Sequence, residues 1–570
     1  MLSEKEKRSI IYSVSVDLLY WFTLIIVFTV FLLFFKKPVS AMNFIIPSIA
    51  IALYVILSSK HADNRLIEMV VLIIITGSIL VISGMSFDHT WDGAAYHKTA
   101  VGFLKEGWNP IYQSLQSYKE ETGIIKWDCP NPVLWAEVYP KATWYFAASV
   151  YALTGDIEVG KAYTLVGVVI LFGIVYNYLS YKNIKKWQIC IVALVAGLNP
   201  IVFCQVQTYY LDGFVSCILM SMMIIFFSIL DEDCDVLFRD RILQLICLIL
   251  IGCNLKWSVT LYVVTYCACF AIMYLLREKK IELQQLIEVG GLVLSGCCGI
   301  FILGFSPFVT NYFRYGNLFE GFISDSVNLV GEKNMANTFG IEGLSNAQMF
   351  LSSLFGKMSH GVYHTLGELL KIPFTFSEEE LKWYSIPDTR IGGFGIFFSG
   401  IFLLSIIVII YIFMSKEVRK IWVVKSISVF YIVTIVEMLI LPATFTARYT
   451  CQLYLIPVTA LALLFMSIKH KPGIFNRLIA VFLCVFIIGN LWPWLKCCYN
   501  NCIIANQTKP VLRQLSEQKD LKLAFYAYDF SGMHFNMNDY GIRDYEFLQW
   551  NELEDSVGVT YGNWIRYIYK

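Results

Sequence analysis

Residues 12–35 read YSVSVDLLYWFTLIIVFTVFLLFF and contain a single charged residue, Asp17. A bilayer core about 30 Å thick needs about 20 apolar residues in a helix, because every backbone polar group must be satisfied within the segment. The run is also longer than the apolar part of a signal peptide, and no small-residue cleavage pattern follows it. It therefore predicts a retained membrane anchor.

The whole chain has the composition of a membrane protein. Of its 570 residues, 57% are hydrophobic and only 15% are charged, and the mean hydropathy is +0.61. The net charge of +1 provides no basic field for nucleic acid, and no long Lys/Arg run supplies one locally. Nucleic-acid binding is therefore excluded. Most of the sixteen cysteines fall inside apolar runs, where they are expected to be small hydrophobic residues with free thiols.

Twelve further apolar segments meet or approach the length of a membrane span. With the first, they are residues 12–35, 41–58, 67–84, 162–180, 188–204, 214–230, 242–255, 257–276, 287–305, 393–414, 421–441, 449–468 and 478–494. They predict an all-α polytopic membrane protein with about thirteen transmembrane helices.

Lysine and arginine set the expected orientation. With the amino terminus inside, the even-numbered connections lie on the cytoplasmic side and carry most of the basic clusters, as the positive-inside rule requires. Lys36 and Lys37 are the main exception. Counting residues 142–153 as a span would reverse this pattern, so that segment is predicted to be an interfacial helix on the outer side. Its Trp144, Tyr145 and Tyr151 suit that depth.

This topology predicts a membrane domain over residues 1–494, with two large outer loops at 85–161 and 306–392. Residues 495–570 form an outer carboxyl-terminal cap, so that Asp92 and Tyr561 lie on the same side. Within the cap, a helix-like stretch at 511–520 precedes an alternating, strand-like run at 521–528, which predicts a small α/β unit.

The densest polar patch follows the third span, at residues 87–97 (FDHTWDGAAYH). An acidic residue held beside apolar groups tends to have a raised pKa, which suits a general base. Asp92 and Asp88 are therefore candidate catalytic carboxylates, with His97 beside them. The alternative is that Asp88 caps a helix starting near Trp91 and that the histidines are solvated.

Several ionisable residues lie at the expected outer ends of spans, where such groups are functional candidates. Arginine presents a planar fork of donors to phosphate oxygens and lysine supplies a compact cation, so the group could hold a lipid-linked phosphate. Snorkelling to lipid headgroups is the alternative for each cation. The candidates are Lys141, Asp212, Lys256, Arg390 and Arg448.

Taken in order, these motifs resemble those of the GT-C glycosyltransferases, a superfamily that includes the protein O-mannosyltransferases, the aminoarabinose transferases and the oligosaccharyltransferases. The sequence WDGAAYH at 91–97 is similar to the acidic motif of their first outer loop. The other similar motifs are YPK at 139–141, NP at 199–200 with QTYYLD at 207–212, NLKWS at 254–258, Pro307 with NYFRYGN at 311–317, and ARY at 447–449 with Pro457. The resemblance does not include the cap.

The resemblance implies a multi-pass plasma-membrane enzyme that takes a sugar from a polyprenyl phosphate or diphosphate. The acceptor would be a glycan, lipid or protein of the cell envelope. Asp92 would be the base, and one displacement would invert the anomeric carbon. Lys141, Lys256 and Arg448 would neutralise the leaving phosphate. Asp88, His97 and Asp212 would orient the acceptor or hold a metal.

The sequence contains two candidate metal sites. Asp88, Asp92 and Asp212 are hard oxygen donors that suit Mg²⁺ or Mn²⁺, but no spacing demands a cation. His360 and His364 are spaced for one helical face yet lack a third ligand, so they are interpreted as a surface pair.

Other functions remain open at this stage. A transporter or flippase would place ionisable groups near the bilayer midplane, and often shows internal repeats. A glycan polymerase or ligase would use arginines and a histidine without an acidic first-loop motif. The non-enzymatic alternative is a binding or anchoring role for the cap.

Overall fold

The computed structural model describes residues 9–58, 62–182, 184–232, 234, 238–277, 281–321, 341, 343–360, 365–414, 422–441, 443–470, 473–553 and 558–569. His364 lies outside these residues. The side chains at 58, 62–64, 240, 422 and 468–470 are likewise not described.

The chain is mostly helical. Among the described residues, nine helical segments are long and apolar enough to cross a membrane and four shorter ones are similarly apolar. The helices that correspond to the thirteen expected spans are Ile10–Phe34, Met42–Ser58, Ala62–Gly84, Tyr163–Ser180, Lys186–Gly197, Asp212–Leu230, Phe238–Gly252, Trp257–Leu276, Leu283–Cys298, Phe398–Phe413, Trp422–Ile440, Leu455–His470 and Ile474–Gly489. The multi-pass helical architecture is therefore confirmed, whereas the number of helices that cross remains a prediction.

Shorter elements connect these helices. They are the α-helices Lys98–Lys105, Leu115–Thr122, Pro130–Val138, Ala142–Thr154, Pro200–Gln205, Thr310–Tyr315, Asn346–Phe355, Leu366–Leu369 and Glu378–Trp383, the 3₁₀ segments Ile157–Ala162 and Ala447–Tyr454, and the π-helical turns Gly93–His97, Gly299–Leu303 and Phe305–Val309.

The helix Asp212–Leu230 forms the centre of the bundle. Every one of its residues is buried, whereas Arg65–Gly84 is mostly exposed and suited to lipid contact. A helix that is apolar on all sides is stable only when protein or lipid surrounds it. The first residue of the central helix, Asp212, therefore has a fixed position against several neighbouring segments.

The two ends of the bundle collect different parts of the sequence. At one end, Asp92, Asp212, Lys256 and Arg448 meet, although they come from four separate connections. At the other end, Lys182 pairs with Asp231. The sequence predicted that successive connections alternate between the two ends of the bundle, and the positions of these two groups of ion pairs are consistent with that prediction. Which end faces the cytoplasm remains a prediction.

The helix Ala142–Thr154 corrects one expectation. Trp144, Tyr145 and Tyr151 are at most 2% exposed, because the helix packs against the first two long helices and the segment Lys98–Lys105. Its aromatic side chains thus lie inside the protein and do not contact lipid headgroups.

The cap begins with the helix Trp494–Leu515 and continues into a four-stranded sheet. The strands are β1 (Lys522–Phe525), β2 (Glu546–Phe547), β3 (Gly558–Thr560) and β4 (Ile565–Ile568), in the order β2-β1-β4-β3. β1 is parallel to β2 and antiparallel to β4. A short helix, Met533–Asp539, and the 3₁₀ turn Trp550–Leu553 complete it. The small α/β unit is therefore present, and its strand starts within the expected stretch. All sixteen thiols are free among the described residues.

Cysteine labelling tests the orientation. Lys519 in the cap and Lys186 at the opposite end of the bundle are both exposed, so each accepts a cysteine without a packing cost. We expect a membrane-impermeant maleimide to label Lys519→Cys on intact cells and Lys186→Cys only after permeabilisation, measured against the unsubstituted chain. The reverse pattern would place the candidate site on the cytoplasmic side.

Candidate functional site

Arg448 connects two loops and the central helix at one end of the bundle. Its Nη1 lies 3.1 Å from Asp92 Oδ2 and 3.8 Å from Asp212 Oδ2, and its Nε lies 3.4 Å from Asp388 Oδ1. The side chain is 10% exposed. A largely buried guanidinium requires such partners, because an unpaired buried charge is costly. We call these four residues, with Lys256 and Arg390, the arginine cluster.

Lys256 joins the cluster through Asp212. Its ammonium lies 3.0 Å from Asp212 Oδ1 and 3.8 Å from the ring centre of Tyr449. Asp212 is in the first turn of the central helix, where the helix dipole favours a negative charge. The lysine is therefore held by a fixed carboxylate and an aromatic face.

Arg390 is the most accessible cation of the cluster. Its Nε lies 2.7 Å from Asp388 Oδ2, and its side chain is 31% exposed. Burial alone would raise the pKa of Asp388, but the guanidiniums of Arg448 and Arg390 lower it to about 2. Asp388 is thus an ionised partner of both arginines.

Asp92 is held through one of its two carboxylate oxygens. Oδ2 accepts a hydrogen bond from the Tyr96 hydroxyl at 3.1 Å and one from Arg448 Nη1 at 3.1 Å. No described residue donates a hydrogen bond to Oδ1. The carboxylate is therefore oriented by the protein while one oxygen remains available to a ligand.

Aromatic rings enclose the cations. The Arg448 guanidinium lies 4.6 Å from the ring centre of Tyr210 and 5.2 Å from that of Tyr449. Tyr96 packs against Tyr139, with ring centres 5.6 Å apart. Such walls exclude water and strengthen the electrostatic interactions between the charges inside.

Asp88 lies in a separate buried cluster. Its Oδ2 accepts from the Tyr209 amide at 3.0 Å, and its Oδ1 has no hydrogen-bond partner among the described residues. Burial raises its pKa to about 6. The rise that the sequence suggested for a catalytic carboxylate is thus found here, away from the arginine cluster.

The Asp88 cluster attaches the cap to the first outer loop. The Lys98 ammonium lies 3.0 Å from Glu158 Oε1 and donates to Asn536 Oδ1 and to the Tyr561 hydroxyl, each at 2.9 Å. Tyr561 in turn donates to the Asp88 carbonyl at 2.9 Å. Asp92 and Tyr561 therefore lie at the same end of the bundle, as expected, whereas the assignment of this end to the outer side remains a prediction.

His97 and Lys141 also lie outside the arginine cluster. His97 Nδ1 accepts from Trp144 Nε1 at 2.8 Å, and burial lowers the pKa of His97 to about 3. Lys141 Nζ donates to the carbonyls of Glu137 and Tyr139, each at 2.8 Å, so it binds the end of the helix Pro130–Val138. Neither side chain contacts Asp92 among the described contacts.

The alternative interpretation of the 87–97 patch, in which Asp88 caps a helix and the histidines are solvated, is wrong. Thr90 caps the helical turn, because its hydroxyl accepts from the Gly93 amide at 3.1 Å. His89 packs against Trp564 of the cap with ring centres 4.0 Å apart, and His97 is 1% exposed. Asp88 is thus not the cap, and the histidines are not solvated.

The acidic side chains do not form a metal site. Among the described residues, no group of three or more His, Cys, Asp or Glu side chains is placed to hold a metal ion. Asp92 and Asp212 point instead at Arg448 and Lys256, and Asp88 lies elsewhere. His360 stacks on Trp383 with ring centres 5.3 Å apart.

The structure brings together five of the eight residues that the sequence nominated, namely Asp92, Asp212, Lys256, Arg390 and Arg448. Sequence reasoning missed Asp388, although the spacing Asp388-Thr389-Arg390 placed a carboxylate beside a candidate. It also missed Tyr210 and the hydrogen bond from Tyr96 to Asp92, although both tyrosines stand within motifs already quoted. No local sequence pattern identifies Glu158 or Asn536 as partners of Lys98.

Comparisons with known proteins found no matching family model, curated protein or solved structure.

The attachment of the cap should depend on pH. Tyr151 and the Ile157 amide donate to Asp539, and burial raises the pKa of Asp539 to about 8 and that of Asp88 to about 6. Both pKa values exceed the ordinary aspartate value of 3.8. The two carboxyls therefore stabilise the docked cap fully below pH 3.8. This stabilisation is lost as the pH rises through 6 and then 8.

Hydrogen exchange measures this effect. After correction for base catalysis, cap amides should lose protection with rising pH, by up to about tenfold per pH unit for each titrating carboxyl. Asp539→Asn should flatten the upper part of the profile, while amides of the central helix serve as the reference. Protection that is constant or increases with pH would contradict the assignment.

Proposed function

We propose that this protein is a membrane glycosyltransferase that moves a sugar from a polyprenyl-linked phosphate to an acceptor on the outer side. The observation that carries the proposal is the position of Asp92. One of its oxygens is fixed by Tyr96 and Arg448, the other receives no hydrogen bond from the described residues, and three cations lie in the same cluster.

Asp92 is proposed as the base. An acceptor hydroxyl would donate its hydrogen bond to Oδ1, its oxygen would attack the anomeric carbon, and the bond from that carbon to the phosphate oxygen would break. The proton passes to Asp92 and the electron pair leaves with the phosphate. A single displacement of this kind inverts the anomeric centre.

The cations would stabilise the departing phosphate. Arg390 is the most exposed of them, so we assign it the first contact with the donor. Arg448 is paired with Asp92 without a donor, so a donor phosphate would have to compete with that carboxylate for the guanidinium. Binding of the donor would therefore release the hold of Arg448 on Asp92.

The cap supplies a surface for the acceptor. Trp91, next to Asp92, is 45% exposed and packs on Phe530 with ring centres 4.8 Å apart. Tyr526, at 55% exposure, packs on the same ring at 6.5 Å. The faces of aromatic rings attract C–H groups of sugars, so these two side chains suit a saccharide acceptor.

Replacement of Asp92 tests the base. In Asp92→Asn the shape is kept and the proton acceptor is removed, so turnover should fall by about 10²- to 10⁴-fold while donor binding is retained. The measurement is sugar transfer from a defined polyprenyl-phosphate donor by purified protein in nanodiscs. Asp544→Asn is the matched control, because it removes an exposed carboxylate of the cap and should leave the turnover unchanged. Near-normal transfer by Asp92→Asn would exclude this residue as the base.

Replacement of Arg390 tests the phosphate contact. Loss of one charged hydrogen-bonding partner costs about 1.5–3 kcal/mol, so Arg390→Gln should raise the donor KM roughly ten- to hundredfold if KM follows binding. Arg543→Gln, which removes an exposed arginine of the cap, is the control and should leave KM unchanged. Equal KM values for the two variants would remove Arg390 from the donor site.

A further inference from the structure

An apolar groove lies at the end of the bundle away from the arginine cluster. It is bordered by the helices Lys186–Gly197 and Ile474–Gly489, its volume is about 710 Å³, and Phe465 and Ala480 are part of its lining. This volume falls within the roughly 300–1,000 Å³ of small-molecule sites. Its outer wall is open, because Val481, Val485 and Ile488 are each more than half exposed.

The lining residues of the second helix follow one helical face. Arg477, Ala480, Val481, Cys484, Val485 and Ile488 recur at helical spacing. From the first to the last is a rise of about 16 Å, close to half of the roughly 30 Å hydrocarbon core. The apolar part of the groove therefore has the length of one leaflet.

The two cations of the groove lie at the same end. Lys185 precedes the first residue of one helix and Arg477 is in the first turn of the other. Among the described residues, neither side chain forms an ion pair. Trp187 and Gln188 line the groove beside them. An indole at this position is typical of the membrane–water boundary.

We propose that this groove is a binding site for one anionic phospholipid. The phosphate group lies between Lys185 and Arg477, and an acyl chain lies along Ala480, Cys484 and Ile488. The charge complementarity selects an anionic headgroup, the apolar length selects a chain from one leaflet, and the openness of the wall permits entry from the bilayer. The site does not depend on sugar transfer.

Native mass spectrometry of the purified chain tests the site, with palmitoyl-oleoyl phosphatidylglycerol titrated against phosphatidylcholine of the same chains. One phosphatidylglycerol should bind in preference. Each surface cation contributes about fivefold to binding of an anionic lipid, so Lys185→Ala/Arg477→Ala should weaken it by more than about tenfold. Lys186→Ala removes a neighbouring exposed lysine that does not line the groove and should retain that lipid.

A second pair of variants tests the apolar part. Cys484→Trp places an indole in the path of the acyl chain while both cations remain, and should remove the preferred lipid. Phe482→Trp changes the same helix outside the lining and should not. Equal binding of the two lipids by the wild-type chain, equal losses in the double variant and Lys186→Ala, or retention in Cys484→Trp would each overturn the proposal.

Discussion

The guanidinium of Arg448 is the interaction on which the arrangement of the candidate site depends. It brings Asp92 from the loop 85–161, Asp212 from the central helix and Asp388 from the loop 306–392 within 3.1–3.8 Å of one side chain. A buried pair of this kind adds little net stability, but removal of one partner leaves a buried charge and is costly. The ion pairs thus fix which loops lie together more than they strengthen the fold.

The charges of the cluster balance. Three carboxylates face Arg448, Lys256 and Arg390, so an incoming phosphate meets cations that already have partners. Under the proposed function, donor binding would therefore require an exchange of partners in which a phosphate replaces a carboxylate. That exchange would connect donor binding to the ion pair of Asp92, and it would account for acidic and basic residues placed together in a site proposed for an anionic donor.

The sequence predicted the helices well because the signal is local. A long apolar run has few alternatives to a helix. Each of the thirteen expected segments overlaps a helix of the structure. The sequence located the helix Ala142–Thr154 correctly but predicted the wrong surroundings for it, since amphipathic aromatic residues such as Tyr151 suit both a headgroup region and a protein interior. Only the tertiary contacts distinguish these two environments.

The site was predicted in part for the same reason. Arg448 and Lys256 lie at helix ends, where hydropathy marks the boundary. Asp88 and Asp92 differ by four positions in a loop, and hydropathy does not indicate which of them points to the arginine. The two carboxylates differ in their partners, because the Tyr209 amide donates to Asp88 and the Tyr96 hydroxyl donates to Asp92. The partners of Lys98 in the cap are over 400 positions away, beyond any local pattern.

The hydrogen bond from Tyr561 to the Asp88 carbonyl has a consequence for biosynthesis. Its two residues are 473 positions apart, and synthesis at roughly 5–20 residues per second separates them by about half a minute to a minute and a half. During that interval Lys98 has neither of its cap partners, and the loop that carries Asp92 lacks its cover. The loop 85–161 is therefore a region where a membrane chaperone would meet exposed charge and aromatic surface before the later helices are inserted.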